Sequence, residues 1–144
     1  MAHVGNVCVA LWRKKPTPER FRIQKQYLDE AVRARPGEVA FLCIVEPGSE
    51  PPDEDVRKAS SEMVSAHGTN LKCVALVIEG TGFRAAITRS VLSGIVLVIR
   101  SPAPVKYFDT PSSAAEWMRD RVDIHPMSTF IRQVEGLRNA LPRE

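Results

Sequence analysis

Val39-Ala40-Phe41-Leu42-Cys43-Ile44-Val45 is seven apolar residues in a row, with no polar residue interleaved. A strand wetted on one face alternates polar with apolar. A β-branched run without alternation is buried on both faces, as in a parallel sheet covered by helices. Two further runs read the same way, Cys73–Ile78 and Ile95–Ile99. Asn6–Trp12 makes a fourth strand, because Val7, Val9 and Leu11 share one face, Cys8, Ala10 and Trp12 the other, and both faces are apolar.

The segments between these runs carry helical periodicity. Thr17 reads as an N-cap with Pro18 at the first helical position and Glu19 in the first turn, and Phe21, Leu28 and Val32 form one stripe. Asp53–Ala66 reads as a second helix with Val56, Ala59, Met63 and Val64 inward, closed by His67-Gly68. Phe83–Ser93 reads as a third, with Phe83, Ile87 and Val91 at helical spacing. A short edge strand is expected at Val105–Phe108. A fourth helix is expected from the Thr110 cap to Val122, and a last amphipathic helix over Met127–Leu141. The alternation predicts an α/β fold: a four- to five-stranded, mostly parallel sheet flanked by helices, with an extra C-terminal helix. Residues 1–124 form the expected domain, and 125–144 the helix packed on it or extending it.

The chain has 144 residues, enough for one domain with a substantial core. Its net charge of +3 falls short of the basic stripe expected of a nucleic-acid binder. No apolar run approaches the roughly 20 residues that cross a bilayer, and the N-terminus lacks the basic and apolar regions of a signal peptide. A cytoplasmic protein is the expectation. Cys8, Cys43 and Cys73 fall inside strands and lack zinc or redox spacing, so they read as buried core thiols. Neither a metal nor another cofactor is implied.

Charge is uneven. Residues 13–35 hold eight Lys/Arg against three Asp/Glu, residues 46–55 five acids and no base, and residues 80–108 four bases and no acid. Such blocks form solvated faces or an electrostatically steered partner surface.

Two loops are candidates for function. Gly80-Thr81-Gly82-Phe83-Arg84-Ala85 fits G-x-G-x-x-G/A between a strand and a helix, a context in which helix amides hold phosphate. Arg84 and Arg100 would add charge. It lies in the third βα unit, however, and lacks the acidic residue about 20 positions on that holds a ribose, so a capped tight turn explains it as well. The loop Glu46–Pro52 leaves the carboxyl end of a central strand, where α/β proteins place ligand and regulatory sites. Ser49, Glu50, Asp53 and Asp55 are its partner-binding or phosphorylation candidates, although the surrounding acids oppose an added phosphate. His3, His67 and His125 are scattered, and no nucleophile elbow or zinc helix is present.

Val105-Lys106-Tyr107-Phe108-Asp109, followed by Ala114-Ala115-Glu116-Trp117-Met118, resembles the C-terminal pattern of the SpoIIAA-like group in the STAS superfamily. That group shares features with Sec14-type lipid-binding domains. Thr17-Pro18-Glu19 resembles the Thr-x-Glu that opens the first helix of these domains, and the similarity spans roughly residues 5–120. Their phosphorylatable Asp-Ser-Ser-Gly-type loop is not matched at 46–55, where Ser49 stands alone. The resemblance implies a non-enzymatic regulatory module, related to anti-sigma factor antagonists, that binds a protein partner through the second helix and adjacent loop. A homodimer through the final helix is a further expectation. The alternative is a binder of an anionic small molecule, nucleotide or lipid headgroup, at Gly80, Thr81, Gly82, Arg84 and Arg100.

Overall fold

The computed structural model describes residues 1–98, 103–124 and 126–141, with the side chains of all but 83, 84 and 95–98. In chain order the elements are β1 (Ala2–Val4), β2 (Val7–Trp12), α1 (Pro18–Ala34), β3 (Val39–Val45), α2 (Glu54–His67), a 3-10 turn at Gly68–Asn70, β4 (Leu71–Ile78), α3 (Phe83–Val98), β5 (Val105–Phe108), α4 (Pro111–Met118) and α5 (Met127–Ala140). The five strands form one sheet in the order β1-β2-β3-β4-β5. β1 runs antiparallel to β2, and the remaining neighbours are parallel.

Sequential parallel strands joined by right-handed crossovers place every crossover helix on the same side of the sheet. The core divides accordingly. Phe41, Cys43 and Val45 of β3 pack with Leu28 of α1, Met63 of α2 and Leu92 of α3. The alternate residues Ala40, Leu42 and Ile44 pack with Met118 of α4 and with Phe130 and Val134 of α5. Val39–Val45 is buried along its whole length because helices cover both faces. The apolar stripe of α5, with Phe130 and Val134, is turned onto the chain's own sheet.

Local chemistry sets the helix starts. Thr17 Oγ1 accepts the Arg20 amide hydrogen at 3.2 Å, and Thr110 Oγ1 accepts that of Ser113 at 3.2 Å, each ahead of a helix opened by proline. The Phe108 and Trp117 rings meet at 5.5 Å, which fastens α4 to β5. Arg121 lies 4.3 Å over the Trp117 ring and donates to the Trp117 carbonyl at 2.9 Å.

Three sequence expectations need correction. The run at Ile95–Ile99 is not a strand as far as the structure describes it: α3 continues to Val98, and Ile99 lies outside the described residues. A short apolar run is ambiguous between a buried strand and a buried helix, and no proline interrupts residues 83–98, so the helix propagates through β-branched residues. The place beside β4 belongs to β5, whose Val105–Phe108 pairs with Val74–Val77. The fourth helix stops at Met118 instead of Val122, closing in a turn in which the amides of Arg121 and Val122 both donate to the Met118 carbonyl at 2.9 Å. The sheet also gains β1, a three-residue strand paired through the Gly5-Asn6 turn, where Gly5 takes φ +58°.

No helix among the described residues is long and apolar enough to cross a membrane.

Candidate functional site

The parallel strands β2, β3 and β4 end level: Trp12 pairs with Val45, and Val45 with Ile78. The next residue of each chain segment is charged, Arg13, Glu46 and Glu79. Side chains alternate across the sheet, so these three point to the side covered by α5. There they meet Arg138 of its last turn. Arg138 holds Glu79 through both guanidinium Nη atoms, with Nη1 to Oε2 at 2.9 Å, and its Nε reaches Glu46 Oε2 at 2.9 Å. Arg13 pairs with Glu46 through Nε. Its Nη atoms donate to the Arg138 carbonyl and, at 2.7 Å, to the Leu141 carbonyl, which satisfies the carboxyl end of α5. Burial acts to raise the Glu46 pKa, but the hydrogen bonds from Arg13 and Arg138 outweigh it and hold the carboxyl below its ordinary value. The hydrogen bond to Glu79 leads the effects that hold the Arg138 charge more firmly than usual. This cluster is internally matched and clamps α5 to the sheet.

On the opposite side of the same strand ends lies the loop at 46–53. Ser49 is buried in it, and its Oγ donates to the Trp12 carbonyl at 2.8 Å. Its carbonyl faces Thr88 Oγ1 of α3 at 3.5 Å. The hydroxyl named as a phosphorylation candidate therefore points inward. Glu50, Asp53 and Asp55 are exposed. Asp53 occupies the N-cap of α2 without a side-chain cap bond and pairs with Lys15 Nζ at 2.8 Å.

Behind this loop, between the sheet and the layer of α1, α2 and α3, is an apolar cavity of about 70 Å³. It adjoins an open groove of about 490 Å³ between the start of α2 and α3, and Ser49, Glu50, Pro52 and Thr88 line both. Glu50 and Asp53 thus come together at one mouth, while Asp55 is not among the groove residues. No protein-family model, curated protein or solved structure matches the chain.

Gly80, Thr81 and Gly82 form the turn into α3. Gly80 has φ +101° and Gly82 φ +92°, and a Cβ on Gly80 would sit 3.3 Å from the Pro47 Cβ. The turn is thus shaped by the close approach of the neighbouring loop, and Arg89 Nη2 fastens it by donating to the Gly80 carbonyl at 2.7 Å. The recess beside it, about 180 Å³, is lined by Glu46 and Glu79 as well as by Gly80 and Thr81. The Arg84 side chain and all of Arg100 lie outside the described residues. Gly80→Ala is expected to destabilise the fold by about 1–2 kcal/mol. Gly94→Ala, at an open helical position, should be neutral or stabilising. Thermal melts of the two variants check the contrast, and equal effects would remove the packing explanation.

Sequence reasoning passed over Gln24, Arg57 and Thr88, which line the cavity or the groove, and the clamp residues Arg13 and Arg138. Gln24 had left a trace, since it interrupts the apolar stripe of Phe21 and Leu28 with a polar residue. Burial pushes the Cys8 and Cys43 thiols up to about 12 and Cys73 up to about 11. They are protonated at neutral pH and are poor nucleophiles. Among the described residues no group of His, Cys, Asp and Glu could hold a metal ion.

Proposed function

We propose that this chain is a non-catalytic, STAS-like regulatory module that binds a protein partner through the start of α2 and the loop before it. The observation that carries the reading is the mounting of that loop. Its interior residue, Ser49, is tied to β2 and faces α3, while Glu50, Asp53, Glu54 and Asp55 stand exposed around it. A loop held from within presents a fixed acidic surface, so a partner meets it with little ordering cost. Four carboxylates in six residues, beside the favourable N-terminal dipole of α2, match a basic face and steer its approach. The Thr17-Pro18-Glu19 helix start, the Phe108–Trp117 contact and the β-α alternation from Val7 to Met118 support the STAS-like assignment.

The test is affinity capture from the source cells with the whole chain as bait, followed by mass spectrometry. A partner is expected to be captured by the native chain and lost by Glu54→Lys/Asp55→Lys, and to be kept by Ile23→Ala, which alters an exposed residue of α1 outside the acidic loop. Capture that ignores the charge reversal, or no capture at all, would refute the assignment.

A further inference from the structure

Among the described residues three polar side chains are buried, Gln24, Ser49 and Thr88, and all three line the same cavity. Ser49 is satisfied by Trp12, and Thr88 faces the Ser49 carbonyl. Gln24 is only 7% exposed and is a polar group in a mostly apolar wall. Its amide, which borders the cavity, can both donate to and accept from whatever enters it. It lines the cavity but not the groove, whereas Ser49 and Thr88 line both. A molecule entering from the groove therefore passes Ser49 and Thr88 and reaches Gln24 among apolar walls that include Phe21, Met63 and Leu92.

The groove supplies the other half of the recognition. Lys15 pairs with Asp53, and the Glu50 charge also acts on it. Glu50, Glu54 and Arg57 have no ion pair among the described residues, and Arg57 Nε is buried without a hydrogen-bond partner there. A guanidinium holds a carboxylate, and two carboxylates hold an ammonium. Both charges, placed next to an apolar slot, complement a zwitterion with an apolar tail. The slot, at about 70 Å³, has less than half the volume of the ~150 Å³ engineered cavity that admits benzene. It suits a side chain of a few heavy atoms better than an aromatic ring. A thioether sulfur in it would accept weakly from the Gln24 amide.

We propose that the cavity and groove bind a small apolar α-amino acid or a close analogue, of methionine or leucine size, with its carboxylate on Arg57, its ammonium on Glu50 and Glu54, and its side chain reaching Gln24. The site does not rest on the STAS-like reading, but it shares Glu50 and Glu54 with the proposed partner surface, so its occupancy would bear directly on that surface.

Isothermal titration of the whole chain tests this with L-methionine, L-leucine, L-phenylalanine, glycine, 4-methylpentanoate (no ammonium) and 3-methylbutylamine (no carboxylate). Methionine and leucine are expected to bind, and each of the other four to bind at least about tenfold more weakly. Arg57→Ala is expected to weaken methionine at least about tenfold, while Lys58→Ala, an exposed neighbour on α2, leaves it unchanged. Gln24→Leu is expected to reverse the preference toward leucine. Thermal melts without ligand identify any variant that fails to fold, and Glu50→Gln then tests the same head site from the loop. The proposal is overturned if neither methionine nor leucine binds at about 10 mM, if a half-analogue matches leucine, or if folded head-site variants bind as the native chain does. Failure of partner capture would leave these results standing, since the titrations need no partner.

Discussion

Arg138→Ala is expected to lower the free energy of unfolding by about 2–4 kcal/mol. The Arg138 side chain is 14% exposed and its guanidinium is shared between Glu46 and Glu79. Removing it leaves Glu46 with Arg13 but strips Glu79 of the only ion pair it has among the described residues. A carboxylate at that depth without a counter-charge is the expensive outcome, more so than the loss of the attraction itself. Urea unfolding measures the change. A value below about 0.5 kcal/mol, the range of an exposed pair, would show that the clamp contributes no more than a surface contact. The same cluster sets an acid response. A carboxyl whose pKa is lowered by folding adds stability that is fully present above its ordinary value of 4.5 and is lost as pH falls through the lowered value. Melts of Glu46→Gln and the native chain should therefore differ at neutral pH and converge well below pH 4.5.

Leu42→Ala is expected to cost about 3–5 kcal/mol. Leu42 is 0% exposed in the central strand β3 and belongs to the core that α4 and α5 cover. The neighbouring strands fix the backbone on both sides, so the vacated volume cannot collapse and the cavity term adds to the lost transfer energy. Ile23→Ala loses a comparable side chain that is 57% exposed and should stay within about 0.5 kcal/mol. A Leu42 effect near that of Ile23 would be incompatible with a close-packed double-sided sheet.

Runs such as Val39–Val45 disclosed their burial because a strand covered on both faces has no polar position to interrupt it. Caps were legible for a similar reason, since Thr17 and Thr110 act on amides three residues away. Ile95–Ile99 misled because β-branched composition records burial more faithfully than backbone conformation, and the choice between strand and helix was made by the surrounding chain. β1 escaped because three residues, one of them histidine, carry no pattern of their own. In the site, the exposed acids Glu50 and Asp53 could be named from their loop. Arg57 could not, because its meaning arises only when α2 stands beside α3. Arg138 was beyond reach for the same reason, lying 92 residues from Glu46 and 59 from Glu79.

Arg13 and Arg138 are 125 positions apart. A contact that closes so long a loop gains little until most of the intervening chain is ordered. The ion cluster therefore belongs to the late stage of assembly, after β2, β3 and β4 have aligned their ends. Interactions absent from the folding transition state act on the rate of unfolding and leave the rate of folding nearly untouched. The charged seam between α5 and the sheet is thus expected to act chiefly on how long the native molecule persists once formed.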